Sequence, residues 1–328
     1  MKETKSLLLA IETSCDETAA AVVDAAGKAP RLLANVVATQ HEFHARFGGI
    51  VPEIAARRHA EVLQAIIADA LERAEAGYEY LEAVAVIHGP GLIGSLVVGV
   101  AAAKAIAVAR QIPLVGINHL EAHIYSLFLP EAGGEPVFPL LVLISSGGHT
   151  HLVYMERHGR FEVVGRTRDD AAGEAFDKAG KLLGLEYPGG PALAALGDTG
   201  DERAYDFPAA DILPAKAPKR AWDFSFSGTK TALARQVEAM PEAAVKREQA
   251  NLAASFQRSV TDALVRTTLK TAQSVEAASL GVVGGVACNR ALREKLAEKT
   301  RRLGIGLFIP PPLLCTDNAA MVGAAAYF

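Results

Sequence analysis

Cysteine is scarce: Cys15, Cys288 and Cys315 are the only three in 328 residues, and none stands at CxxC spacing. An odd, scattered set excludes a disulfide framework and a zinc-finger scaffold, and it fits a reducing compartment. Excess positive charge is also absent. Lys plus Arg total 33 against 37 for Asp plus Glu, giving a formal net charge of -4. Nucleic-acid binding through bulk charge is thereby excluded, so such a partner needs a local patch or a helper subunit. No hydrophobic run is long. Leu92–Arg110, the most apolar stretch, is interrupted by Lys104 and falls short of the ~20 residues of a membrane span. Leu7–Ile11 is too short for a signal-peptide core. These absences predict a soluble, cytoplasmic chain with no membrane partner. What is present is enough apolar surface to fold, with 50% hydrophobic and 21% charged residues. At roughly 150 residues per domain, the length suggests two lobes.

Short apolar runs mark strands at Leu7–Glu12, Thr18–Asp24, Arg31–Thr39, Ala83–His88 and Leu114–Ile117. Pro52–Ala74 carries Ile54, Val62, Ile66 and Leu71 at helical spacing behind an early proline, and Ser95–Arg110 reads as a mostly apolar helix. The first half thus runs βββαβα. The second half repeats that order, with strands at Leu140–Ser145, His151–Tyr154, Phe161–Thr167 and Ser279–Ala287. Its helices fall at 172–184, 243–276, Asn289–Leu303 and 317–328. Each half has a hairpin turn of small polar residues, which exposes backbone N–H groups to an anion. This duplicated α/β pattern resembles the actin-like ATPase (ASKHA) fold. It implies two similar lobes around a central cleft, residues 1–134 and 135–316, with 317–328 packing back on the first. Residues 199–224 break all periodicity and read as a long surface loop.

His119 and His123, in NHLEAH, stand four apart, so on a helix both imidazoles share one face and can hold one metal. Two surface or capping histidines are the plainer alternative. Glu121 is in the wrong place for the general base of a HExxH protease. With one carboxylate added, two histidines suit Fe(2+) or Zn(2+). Asp317, in CTDN, offers that carboxylate, but taken alone its position favours a helix N-cap. Ser145, Ser146, Gly147 and Gly148 open the second hairpin turn, which is either a nest of phosphate donors or a plain hairpin. In GGVACNR, glycines at a strand-to-helix turn allow close approach of a nucleotide, and Asn289 either caps the helix or bonds a ligand. Asp177 can accept from ribose hydroxyls, with Gly189 and Gly190 giving a flat backbone surface; a solvated acid and a helix-ending turn is the alternative.

Nine segments together resemble one family: IETSCDET (11–18), GGIVPEIAARRH (48–59), GPGLIGSLVVG (89–99), NHLEAH (118–123), SSGGHT (145–150), DDAAGEAFDKAGKLLGLEYPGGP (169–191), DFSFSGTKTA (223–232), GGVACNR (284–290) and CTDN (315–318). The chain is identified as a member of the tRNA N6-adenosine threonylcarbamoyltransferases, TsaD in bacteria, whose early members were called O-sialoglycoprotein endopeptidases. The resemblance implies one divalent ion, Fe(2+) or Zn(2+), on His119, His123 and Asp317. It implies contacts from Ile144, Ser145, Ser146, Gly147, Gly148, Asp177, Gly190 and Asn289 to threonylcarbamoyl-AMP, with ATP or AMP able to occupy the same site. The implied reaction transfers the threonylcarbamoyl group to N6 of adenosine 37 in tRNAs reading ANN codons, releasing AMP. The implied partners are tRNA, an inactive TsaB-like paralogue and a TsaE-like P-loop ATPase. Asp16 and Glu17, in the first hairpin turn, are the candidates for steering or deprotonating the adenine amine. Arg57, Arg58, Lys216, Lys219, Arg220 and Lys230 are candidates for phosphate contacts. Three positions depart from relatives: Ile144 stands where archaeal members carry a Tyr ligand, Ala194 where some bacterial members carry Asp, and Asn118 where some carry His. A metalloprotease and an actin-fold kinase or ATPase are the alternative functions.

Overall fold

In the computed structural model, which describes residues 6–210 and 222–328, the opening apolar runs form β1 (Leu7–Glu12), β2 (Glu17–Asp24) and β3 (Arg31–Thr39). Helix α1 (His41–Ala45) and helix α2 (Pro52–Arg73) follow, then β4 (Leu81–Gly89), α3 (Ile93–Arg110), β5 (Leu114–Asn118) and α4 (His119–Tyr125). The sheet order is β3-β2-β1-β4-β5. Hairpin turns make β1–β2–β3 antiparallel, while the helical crossovers make β1, β4 and β5 parallel.

The second sheet is built from β6 (Leu140–Ser145), β7 (Thr150–Arg157), β8 (Arg160–Arg166), β9 (Ser279–Val283) and β10 (Gly306–Phe308). Its order, β10-β9-β6-β7-β8, repeats that of the first sheet. Between its strands lie α5 (Ala172–Leu182), α6 (Gly189–Gly197), α7 (Ser227–Glu238), the 33-residue α8 (Glu242–Ser274) and α9 (Arg290–Leu303). The chain ends in α10 (Pro312–Cys315) and α11 (Ala319–Tyr327). One compact unit comprises residues through Glu135 together with Pro310–Phe328, and the other Pro136–Ile309.

In the first unit β1 is buried along its whole length because helices cover both faces of the sheet. On one side Leu9, Ile11, Val84 and Val86 pack with Leu63, Ile67 and Leu71 of α2. On the other lies α11, whose alanines and Gly323 let it approach closely: a Cβ on Gly323 would collide with Val23. The buried stripe of α2 is Ala55, His59, Leu63, Ile67, Ala70 and Leu71. That is one position over from the expected Ile54, Val62 and Ile66, which are half-buried along its edge. Leu71, the fourth apolar position of that spacing, lies within the stripe.

Three other expectations change. Helix α3 has 18 residues and is, by length and composition alone, apolar enough to cross a membrane. Its Leu96, Gly99, Ala103 and Ala107 face is nevertheless buried, on the side that packs against α2 and β4. The strand expected over Ser279–Ala287 stops at Val283. Gly284 there takes φ +91, and a Cβ on it would collide with the backbone of Ser145, so only glycine closes this turn. The expected surface loop 199–224 is partly interior: Phe207, Ala210 and Phe224 are buried, and residues 211–221 lie outside the described residues.

Candidate metal centre and nucleotide-binding segments

The three residues considered for a metal converge in the first unit. Asn118 ends β5 and caps α4, its Oδ1 accepting from the N–H groups of Leu120 (2.9 Å) and Glu121 (3.4 Å). The cap starts the helix at His119, so His119 and His123 are stacked one turn apart, ring centroids 4.7 Å from each other. Both are buried. Glu121 falls about 200° round the helix from His119, away from the shared face. Asp317 is not a helix cap. Asn318 caps α11 by accepting from Met321 N–H at 3.1 Å, which leaves the Asp317 carboxylate to face the imidazoles. Its Oδ1 lies 3.1 Å from Nε2 of His123 and 3.8 Å from Nε2 of His119. One donor atom from each residue lies within 4.8 Å of the others.

Two further residues, which a motif reading passes over, hold His119 from behind. Nδ1 of His119 lies 3.1 Å from Ser14 Oγ and 3.3 Å from Glu12 Oε2. Glu12 is fully buried, and its other oxygen accepts from the Ser14 N–H. Burial opposes charge on His119, but Asp317 first and then Glu12 outweigh it and raise the imidazole to about 9. Two imidazoles, one carboxylate and a carboxylate behind one ring form a donor set that fits Zn(2+) or Fe(2+).

Next to this cluster is the first hairpin turn. Asp16 is 6% exposed, and Nε2 of His41 lies 3.7 Å from its Oδ2 and 3.4 Å from Glu17 Oε1. Burial pushes the Glu17 carboxyl well up, with Asp16 and Asp317 adding repulsion. The Cys15 thiol is pushed up for the same reasons, burial foremost, and is therefore no thiolate nucleophile.

The nucleotide candidates lie in the second unit. Ile144 and Ser145 are within β6 and fully buried. Ser145 Oγ finds no partner among the described residues. Beyond them the turn closes through Ser146 N–H to His149 O (2.8 Å), and Gly147 and Gly148 stand in open space. The start of α5 backs this turn: Gly173 N–H donates to Ser146 O at 3.1 Å, and Ala172 N–H to Thr150 Oγ1 at 2.9 Å. Asp177 and Gly190 are brought together, with Gly190 N–H donating to Asp177 Oδ1 at 2.7 Å. Asn289 caps α9 by accepting from Leu292 N–H (3.0 Å), while its amide donates to Gln257 Oε1 (2.7 Å).

Of the expected phosphate contacts, three are already paired within the chain. Arg57 pairs with Glu53, Arg58 with Glu61 and over the Phe43 ring, and Lys230 with Asp170. Lys216, Lys219 and Arg220 lie outside the described residues.

The family model described as TsaD, tRNA N6-adenosine threonylcarbamoyltransferase, matches residues 31–324. A tRNA N6-adenosine threonylcarbamoyltransferase of Symbiobacterium thermophilum is 50% identical over 324 residues, covering 99% of this chain and 92% of that one. This chain belongs to the tRNA N6-adenosine threonylcarbamoyltransferase family. A second member, from Desulfitobacterium hafniense, is 48% identical over 98% of this chain and 91% of its own. Two solved structures share the fold at low identity. Full-length HypF in its phosphate- and nucleotide-bound form superposes with a TM-score of 0.63 at 14% identity, over 98% of this chain and 46% of HypF. Component A of (R)-2-hydroxyglutaryl-CoA dehydratase from Acidaminococcus fermentans gives 0.55 at 16% identity, over 98% of both chains. This chain is thus an α/β protein of the actin-like ATPase fold.

Proposed function

We propose that this chain, a transferase by family, moves the threonylcarbamoyl group from threonylcarbamoyl-AMP to N6 of adenosine 37 in tRNAs that read ANN codons. The observation that carries the reading is the 50% identity to a named threonylcarbamoyltransferase over 99% of the chain. In the reaction the N6 nitrogen attacks the carbamoyl carbon, the bond from that carbon to the phosphate oxygen breaks, AMP leaves, and one amine proton is lost. Zn(2+) or Fe(2+) on His119, His123 and Asp317 would supply Lewis-acid polarisation of the carbamoyl and phosphate oxygens.

The remaining work belongs to the chain's own residues. Asp16 and Glu17, in the turn between β1 and β2, are the groups placed to steer the amine and take its proton. Open backbone at Gly147 and Gly148 suits the phosphate, with no side chain in the way. Asp177 and Gly190 together offer an edge for the adenosine moiety. Adenine N6 is a weak nucleophile, so rate depends on holding it against the carbamoyl carbon.

Cytoplasmic partners complete the reading. The acidic chain shares tRNA binding with other subunits. Helix α3 exposes a seam of Ile93, Val97, Ala101, Lys104 and Val108, apolar but for one lysine, and this face suits an inactive TsaB-like paralogue. A TsaE-like P-loop ATPase is the third component. The test is reconstitution of the metal-loaded protein with both partners, unmodified tRNA, threonine, bicarbonate, ATP and the adenylate-forming enzyme, read by nucleoside mass spectrometry. The modified nucleoside is expected only when the chain is present. Its absence, with phosphorylation of a small molecule instead, would favour a kinase.

A further inference from the structure

His59 sits on α2, is fully buried, and is absorbed by none of the roles above. Its ring reaches both sides of the turn that carries Asp16 and Glu17. Nε2 lies 3.0 Å from the carbonyl oxygen of Cys15, immediately before the pair. Nδ1 lies 2.7 Å from Thr18 Oγ1, immediately after it. A carbonyl only accepts, so Nε2 carries the proton and Nδ1 accepts from the Thr18 hydroxyl. Burial pulls the ring's pKa down, against the Cys15 carbonyl, which keeps this neutral tautomer. Gln40 lies behind the ring, its Nε2 3.3 Å from Nδ1 and 3.4 Å from Ala55 O.

The other side of the turn is tied to α3. Leu92 N–H donates to Ser14 O at 2.8 Å, and Thr13 Oγ1 donates to Ser95 O at 2.9 Å. A Cβ on Gly91 would collide with Ser14. The turn between β1 and β2 is therefore strapped from two helices, and His59 is the only one of these straps that spans it from Cys15 to Thr18.

We infer that His59 is a positioning residue for the transfer: through Cys15 and Thr18 it fixes the turn and so the direction in which Asp16 and Glu17 present their carboxylates to the incoming amine. The inference rests on the reading of Asp16 and Glu17 as acceptor-side groups. A hydrophobic side chain at 59 would fill the space and leave the turn without its clamp. Misplacing a reacting group by about 1 Å can cost roughly 100-fold in rate.

The experiment is single-turnover transfer from preformed threonylcarbamoyl-AMP to unmodified tRNA, using metal-loaded protein with its partner proteins. Thr18→Val keeps the side-chain shape and removes the hydroxyl; Thr18→Ser restores it; His59→Gln breaks the span; Asp16→Asn tests the underlying reading. Thr18→Val and His59→Gln are expected to slow transfer by about 10–100-fold, with metal content, adenylate affinity and melting temperature unchanged, and Thr18→Ser to recover the rate. Wild-type transfer by Thr18→Val, or loss of adenylate affinity in step with the rate, would overturn the inference. If His59→Gln fails to fold, the Thr18 pair decides alone. Slow transfer by Asp16→Asn beside normal transfer by Thr18→Val sinks only the clamp. Normal transfer by Asp16→Asn sinks the acceptor-side reading, and the clamp's route through the carboxylates with it.

Discussion

Oε2 of Glu12 lies 3.3 Å from Nδ1 of His119, and both side chains are buried. The carboxylate sits behind the ring while Nε2 faces Asp317, an arrangement that fixes the tautomer and makes the free nitrogen a better donor. Loss of such a partner typically costs 10–100-fold in metal affinity. Glu12→Gln should weaken Zn(2+) binding by about that factor, measured by competition with a chromogenic chelator. An affinity equal to wild type would show that Glu12 serves the fold alone.

His119→Ala and His123→Ala should each remove most bound metal while leaving far-UV circular dichroism unchanged. The side chains converge on Asp317 from one short helix, and neither is among the large apolar groups of the core. Elemental analysis is the readout, and full occupancy in both variants would refute the assignment.

The proton on His119 gives metal binding a pH dependence. Its pKa of about 9 exceeds the ordinary value of about 6.5, because Asp317 and Glu12 outweigh burial. A cation bound at Nε2 displaces that proton, so apparent affinity should rise about tenfold per pH unit up to about 9. The metal-free fold follows the opposite trend. A raised pKa stabilises the folded state fully below the ordinary value, and that contribution fades as pH climbs through about 9. Chelator-treated protein should therefore melt at a lower temperature at pH 9.5 than at pH 7 through this group. Metal affinity that stays flat from pH 7 to 9 would contradict a protonated His119.

Adjacent glycines after Pro188 should behave differently. A Cβ on Gly189 would stand 2.7 Å from the Asp177 carbonyl oxygen, backbone that cannot move aside. On Gly190 the nearest atom is Asp177 Oδ1 at 3.4 Å, an ordinary contact. Gly189→Ala should destabilise by about 1–3 kcal/mol through overpacking, whereas Gly190→Ala should melt like wild type. If the adenosine moiety lies against Gly190, that variant should still bind threonylcarbamoyl-AMP more weakly. Asp177→Ala should weaken it by about 1–3 kcal/mol by leaving groups unpaired. Calorimetry showing normal affinity in both Gly190→Ala and Asp177→Ala would place the nucleotide elsewhere.

The parts legible in the sequence were those with one simple periodicity. Apolar runs located β1, β3 and β6 at their observed bounds, and the i, i+4 spacing of His119 and His123 put both on one face. Elements without such a signal were missed. The three-residue β10 is too short for alternation. Helix α6 begins Gly-Gly-Pro, which reads as a turn, and α7 begins in the polar run Ser227–Lys230. Glu12 and His59 give no signal in the sequence of the contacts they make, for one physical reason. A polar residue in a strand or helix reads as a solvent-facing break, but both are buried with hydrogen-bond partners that lie tens of residues away in sequence. Asp317 taken alone reads as a helix cap before a ligand, until Asn318 is seen to take the cap.

Helix α3 carries the last prediction. Ile93 is 79% exposed, Val97 58% and Val108 78%, and with Ala101 and Lys104 they lie along one side of the helix. From Ile93 to Val108 the seam runs about 22 Å at 1.5 Å per residue, long enough for a partner helix to lie along it. Large apolar side chains at this exposure gain nothing from water, so a surface that covers them is stabilised by each one removed from solvent. None of the three touches the metal cluster or the hairpin turn through a hydrogen bond. Val97→Asp together with Val108→Asp should therefore abolish co-elution with the TsaB-like paralogue and reduce partner-dependent tRNA modification to the level of the isolated chain. Metal content and adenylate affinity should stay as in wild type. A double variant that still co-elutes with the paralogue would assign that docking to another face, and one that loses metal would show that α3 supports the site from within.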